Sequence, residues 1–263
     1  MIHQIFFIYR VFLLENMATI ITLSNHKGGV GKTTSTLNIG AGLHRLGKKV
    51  LLIDLDPQAN LTTSAGVTDA KETIYEFLKS AKTPLPIQIV ENLDIVPSSL
   101  DLSAAEIELS AETGREYILK EILTPLKQKY DYILIDSPPA LGLLTINALT
   151  ASDKILMPLQ AHYLAMKGLS KLMEVIKKIQ VRLNKDLVIG GVFITQYDNR
   201  KILHRNVAQS IETHFKDILF KTKIRDNIAL AEAPVEGKDI FKYAPSSYGA
   251  EDYLALCQEL LVQ

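Results

Sequence analysis

The sequence predicts an α/β fold, a doubly wound and mostly parallel sheet flanked by helices, and three observations carry that prediction. Short β-rich runs recur along the 263 residues, and most are nearly continuous in apolar residues, as strands covered on both faces are. Stretches with helical spacing separate them, which implies right-handed crossovers. The glycine-rich run SNHKGGVGKTT at 24–34 stands between the first strand and the first helix, where a sheet of this kind binds anions.

The elements follow in order. TIITLS (19–24) reads as the first strand, and KTTSTLNIGAGLHRLG (32–47) as a helix ending at Gly47. KVLLIDL (49–55), LDIVPS (93–98), YDYILID (130–136), DKILMPL (153–159) and VIGGVFIT (188–195) read as further strands. KTPLP (82–86) reads as a loop, because its two prolines break both a helix and a central strand. From Met166 to Leu183, residues Leu169, Leu172, Met173, Ile176, Ile179 and Leu183 keep helical spacing, which leaves Lys171, Lys177 and Lys178 largely on the other side. YGAEDYLALCQELLVQ at the C-terminus reads as a closing amphipathic helix, and no internal repeat is visible.

A hydrophobic content of 47% is ample for a core, and residues 17–263 are expected to form a single domain. The opening MIHQIFFIYRVFLLEN is apolar, but Arg10 interrupts it, no small-residue cleavage site follows, and it is too short to span a bilayer. Because Met17 stands directly before the first strand, residues 1–16 are expected to be a non-native or disordered extension, with a short anchoring helix as the rival reading. Lys+Arg and Asp+Glu are equal at 29 each, so any surface for nucleic acid or membrane must be local. Cys257 is alone, which excludes an internal disulfide and a cysteine-held cluster and fits a reducing cytosol. The expected location is cytoplasmic.

In a strand–loop–helix context, backbone N–H groups and the positive helix end together surround an anion. The usual spacing G-x-x-x-x-G-K-[ST] fails here at its first position, which is His26. What stands instead is K-G-G-V-G-K-T-T, with Lys27 ahead of Lys32. The candidate phosphate-binding residues are Lys27, Gly28, Gly29, Val30, Gly31, Lys32, Thr33 and Thr34. Asp54 and Asp56 end the second strand two residues apart and share one side of an extended chain, where like charges repel unless a cation or a bonded water lies between them. Asp136 ends the hydrophobic run YILID and is followed by Ser137, Pro138 and Pro139, whose prolines restrict the loop. His26, His204 and His214 have no partner at ligand spacing, so a histidine metal site is not expected.

These elements in this order resemble the ParA/MinD family of ATPases, P-loop NTPases whose phosphate loop is a deviant Walker A. The resemblance spans essentially residues 18–262. It implies that Lys32 serves the β- and γ-phosphates of its own nucleotide, while Lys27 crosses to the nucleotide of a facing subunit, so that two ATPs are sandwiched in a homodimer. It further implies Thr33 on Mg²⁺, Thr34 on the α-phosphate, Asp136 near the metal and Asp54 as its more distant partner. Asp56 then orients the attacking water, which makes Lys27, Lys32 and Asp56 the catalytic set. Hydrolysis is expected to be slow alone and faster when a partner sets the dimer.

By the same resemblance, Thr195, Ile224, Arg225 and Asn227 neighbour the adenine. Many relatives read Ile-Pro-Arg-Asn here with a further arginine two residues on, whereas this chain reads Ile224, Arg225, Asp226, Asn227 and then Ala229. Arginines of this region carry nonspecific DNA binding in relatives, and phosphate contacts of that kind need cations spread over a surface. The candidates are Arg200, Lys201, Arg205, Lys221, Lys223 and Arg225, with His204, Lys238 and Lys242 beside them. The function implied is that of a Soj-like partitioning ATPase. Its ATP dimer binds DNA nonspecifically, at the nucleoid, and lets go after hydrolysis stimulated by a ParB-type centromere-binding protein.

Four other functions share parts of this pattern. A MinD-type membrane-cycling ATPase needs a basic terminal helix, and this one has Glu251, Asp252 and Glu259 without a lysine, so no membrane is expected. An electron carrier of the nitrogenase iron protein type needs more cysteines than Cys257. A tyrosine kinase is suggested by Tyr243, Tyr248 and Tyr253, but aromatic residues on a closing helix are more often core. A nucleotide-gated binding switch with negligible turnover shares every residue except a needed Asp56.

Overall fold

The structure, a computed structural model, describes residues 17–162 and 165–262. The expectation for residues 1–16 falls outside them. Eight strands form one sheet in the order β3-β4-β2-β5-β1-β6-β7-β8. They are β1 Thr19–Leu23, β2 Val50–Asp54, β3 Ile87–Val90, β4 Leu93–Val96, β5 Tyr132–Asp136, β6 Lys154–Gln160, β7 Val188–Tyr197 and β8 Leu219–Arg225. All neighbours pair in parallel except β3 with β4.

The central strands are apolar throughout because both of their faces are covered. Along β2, Val50 and Leu52 enter the core shared with helix Lys32–Arg45 and the closing helix Tyr248–Leu261, whereas Leu51 and Ile53 enter the core on the opposite face. Helix Ala165–Arg182 buries Leu169, Leu172, Ile176 and Ile179 against β6 and β7, and Lys171, Lys177 and Lys178 are exposed. Each such leucine or isoleucine stabilises the fold by about 1.5–3 kcal/mol.

Helix Lys32–Arg45 sits close to its neighbours for a steric reason. A Cβ added at Gly40 would lie 2.5 Å from Leu52 Cδ2, and one at Gly42 would lie 2.6 Å from Cys257 Sγ. Ser35 Oγ and Tyr253 OH, buried and 2.9 Å apart, add a polar tie to the closing helix. These contacts aim the helix N-terminus at the carboxyl end of β1.

Two strands were not expected. β3 follows the prolines as an antiparallel edge strand, and β8 alternates apolar and charged residues at the other edge. Edge strands are half exposed, so they lack the continuous apolar run by which the central strands are read. β4 also stops at Val96, short of the expected Ser98. Among the described residues, no helix is long and apolar enough to cross a membrane.

Candidate functional site

The site lies where β1, β2 and β5 end together. Parallel register places Leu23 beside Asp136 and Asp54 beside Asp136, so two carboxylates end adjacent strands. Both are fully buried. Burial, and then Asp54, push the Asp136 carboxyl up to about 8, and burial pushes Asp54 up to about 6 against the bonds from Thr62. Lys32 enters the same space and is itself buried. Burial lowers its pKa, while Asp136 and then Asp56 pull the other way.

Thr33, one residue into the helix, donates from its hydroxyl to Asp136 Oδ2 at 2.7 Å. Asp136 Oδ1 is buried and has no hydrogen-bond partner among the described residues. An orphaned carboxylate oxygen beside a hydroxyl is a fitting donor set for a hard divalent cation, and Mg²⁺, which keeps several waters, needs few protein ligands. Thr33 and Asp136 are therefore the residues that would hold it.

Asp54, expected as a more distant metal partner, ends β2 beside Asp136 and is bonded by its own loop. Its Oδ2 accepts from Thr62 N at 2.8 Å and Thr62 Oγ1 at 2.7 Å, and its Oδ1 accepts from Asp56 N at 3.2 Å. These bonds shape the turn that carries Asp56. Ser98 closes that turn by donating from its amide to Thr62 Oγ1 at 2.9 Å and from its hydroxyl to the Asp56 carbonyl at 2.9 Å. The Asp56 carboxylate accepts from Gln58 N at 3.0 Å and lines the phosphate cleft with Lys32, Thr33 and Pro139.

The loop itself is shaped by left-handed glycines, Gly29 at φ 72 and Gly31 at φ 86, a region side chains disfavour. A Cβ added at Gly28 or Gly29 meets nothing within 4 Å, so the backbone there faces open space. The cleft measures about 470 Å³ and includes Gly28, Gly29, Gly31 and Thr34. Val30 turns inward, and its carbonyl accepts from Thr195 Oγ1 at 2.8 Å. Lys27 stands apart from the carboxylates, donating from its ammonium to Gln160 Oε1 at 3.0 Å.

A second pocket, of about 150 Å³, adjoins the loop and brings Thr195, Ile224, Arg225 and Asn227 together with Asp226, Gln196 and Tyr253. Arg225, expected both beside the adenine and among the DNA candidates, is a wall of this pocket. Its Nε lies 3.0 and 2.9 Å from the two oxygens of Asp252, its Nη2 lies 2.7 Å from Glu251, and its guanidinium carbon is 4.1 Å from the Tyr248 ring centroid. Arg200 is likewise matched, by both oxygens of Asp198 at 3.0 Å, and Lys201 lies 3.9 Å from Asp198 and Asp226. Lys238 pairs with Glu236 and Lys242 with Asp239. Among the described residues, Arg205, Lys221 and Lys223 form no ion pair; Arg205 bonds main-chain carbonyls and Lys223 lies over the Tyr197 ring at 5.0 Å.

Sequence reasoning missed Thr62, Ser98, Gln160 and Gln196. Gln160 and Gln196 carried a usable signal, since each is a polar residue near the carboxyl end of an otherwise apolar strand, where open α/β sheets bind ligands. Thr62 and Ser98 carried none, being brought to Asp54 only by folding.

A glycine cradle on a helix N-terminus, a lysine buried among strand-end carboxylates and an orphaned oxygen for a metal define a P-loop nucleoside triphosphatase. A family model described as an AAA domain matches residues 18–189. The chain is 47% identical over 249 residues to the sporulation initiation inhibitor protein Soj of Bacillus subtilis (strain 168), covering 93% of this chain and 98% of that protein. It is 42% identical over 250 residues to the chromosome-partitioning ATPase Soj of Treponema pallidum (strain Nichols), covering 94% and 98%. Among solved structures, cobyrinic acid a,c-diamide synthase from Mycobacterium smegmatis with bound ATP analog and magnesium superposes with a TM-score of 0.81 at 32% identity, covering 93% of this chain and 94% of that one. The chain belongs to the Soj/ParA family of chromosome-partitioning ATPases.

Proposed function

We propose that the protein is a Mg²⁺-dependent ATPase that closes on ATP into a sandwich homodimer, binds DNA nonspecifically in that state and releases it after hydrolysis. The observation that carries this reading is the unlike setting of two lysines on one loop. Lys32 is buried beside Asp136 and Asp56, whereas Lys27 stands on a neutral amide. A cation that has no counter-ion among the described residues and stands next to the cleft glycine Gly28 suits the triphosphate of a second copy, and that pairing makes nucleotide and dimer stabilise one another.

Within each protomer, the loop amides and Lys32 hold the phosphates, Thr34 takes the α-phosphate, and Thr33 with Asp136 holds the metal. Magnesium, when bound, neutralises phosphate charge and favours the ionised form of Asp136. Asp56 orients the attacking water for in-line transfer, held in place through Asp54, Thr62 and Ser98. The adenine occupies the pocket of Thr195, Ile224, Arg225 and Asn227.

Of the basic residues considered, Arg205, Lys221 and Lys223 suit DNA best, because their charge is not already matched by a carboxylate among the described residues. The partner is a ParB-type centromere-binding protein, and the place of work is the cytoplasm, on the nucleoid. Light scattering with ATP and Mg²⁺ tests the reading: Lys27→Ala is expected to stay monomeric and folded, and dimers like those of the wild type would refute the crossing role. DNA co-sedimentation with ATP but not ADP tests the switch.

A further inference from the structure

We infer that Gln160 and Gln196 are positioning residues that hold Lys27 against its own subunit until a second copy presents a triphosphate. The inference rests on the reading of Lys27 as the lysine that crosses the dimer. Lys27 Nζ donates to Gln160 Oε1 at 3.0 Å, Gln160 Nε2 donates to Gln196 Oε1 at 2.6 Å, and Gln196 Nε2 donates to the Gly29 carbonyl at 3.0 Å. The ends of this row orient both amides, because an ammonium only donates and a main-chain carbonyl only accepts. A row so directed polarises its members in one sense. It leaves the phosphate loop through a side chain and returns to the same loop two residues later, by way of the carboxyl ends of β6 and β7.

The return point is strained. Gln196 adopts φ 51, a left-handed backbone that a residue with a side chain keeps only when its surroundings hold it. Two bonds supply that hold: the preceding Thr195 donates to the Val30 carbonyl at 2.8 Å, and Gln196 itself bonds the Gly29 carbonyl at 3.0 Å. Two consecutive residues of β7 thus grip two consecutive carbonyls of the phosphate loop. Gln196 also lines both the phosphate cleft and the base pocket, so the row ends where a nucleotide arrives.

Charge makes this row a latch. An amide oxygen orders the Lys27 ammonium without neutralising it, and among the described residues Lys27 forms no ion pair. Phosphate oxygens therefore outcompete Gln160, since a charge-assisted bond between opposite charges is stronger than one to a neutral acceptor. A carboxylate at position 160 would keep the lysine at home, and an apolar side chain there would let it go. The two replacements act in opposite directions, which loss of packing alone would not produce.

Dimerisation measured by light scattering with Mg²⁺ and a non-hydrolysable ATP analogue tests this. Gln160→Met is expected to tighten the dimer about tenfold and Gln160→Glu to weaken it about tenfold, from the size of a charged hydrogen bond partly offset by the bond that replaces it. Gln196→Met, which cuts the row farther from the ammonium, is expected to tighten it about threefold. Thermal unfolding followed by circular dichroism checks that each variant is folded. If Lys27→Ala stays monomeric while Gln160→Met and Gln160→Glu both dimerise like the wild type, or both weaken, the latch is overturned and the crossing lysine survives. If Lys27→Ala dimerises normally, both ideas fall.

Discussion

At the phosphate end of the cleft, the groups that place Asp56 are buried and bonded inside the fold: Asp54 takes the amides of Thr62 and Asp56, and Ser98 closes the turn. At the smaller pocket beside it, Arg225 lies on the edge strand β8, its side chain 38% exposed, and is paired with acids of the closing helix. The first arrangement keeps its charges out of water. The second shapes a surface and tolerates water. Low local dielectric makes the buried set sensitive to any missing partner, while solvent screens the edge set.

That contrast is broken most directly at Asp56. On its proposed role in orienting the attacking water, Asp56→Ala is expected to lower phosphate release by roughly 10²–10³-fold while nucleotide binding persists, because such a carboxylate acts in the transition state. Turnover near that of the wild type would make ATP a switch that binds without reacting.

Asp136 sharpens the comparison through pH. Because the folded chain holds a proton on Asp136 up to about 8 and an unfolded carboxyl releases it near 4, stability of the nucleotide-free protein falls as pH rises across that window. The fall is at most about 1.4 kcal/mol per pH unit for this group. Urea unfolding at several pH values should show a flatter profile for Asp136→Asn and for protein saturated with Mg²⁺ and nucleotide. Parallel profiles for the wild type and Asp136→Asn would remove the assignment.

Thr62→Val keeps the shape but deletes the hydroxyl that bonds Asp54 and Ser98, and is expected to cost about 2–3 kcal/mol in chemical denaturation. At the edge, Arg225→Lys loses the two-pronged fit to Asp252 and is expected to cost only about 1 kcal/mol, discounted for its exposure. An Arg225 effect larger than that of Thr62 would reverse the ranking of the two ends.

How much of this was legible beforehand follows the same division. The runs at β1, β2, β5, β6 and β7 were readable because strands covered on both faces are apolar residue after residue. β8 was read only as scattered cations, since Lys221 and Lys223 alternate with Phe220 and Thr222 along an exposed edge. The bonds of Asp54 to Thr62 were not legible, because spacing shows that two carboxylates share a side of a strand, not which hydrogens their oxygens accept.

By itself the chain determined what depends on neighbours along it: the glycine cradle at Gly29 and Gly31, the helix that follows, the apolar strands and the carboxylates that end them. Only the tertiary structure decided what depends on strand order. Placing β1 between β5 and β6 set Thr33 against Asp136 on one side and Lys27 against Gln160 on the other. The physical reason is range: backbone conformation and apolar patterning act over a few residues, whereas a hydrogen bond or a buried charge answers to whatever group the fold brings within about 3 Å, here from more than a hundred residues away.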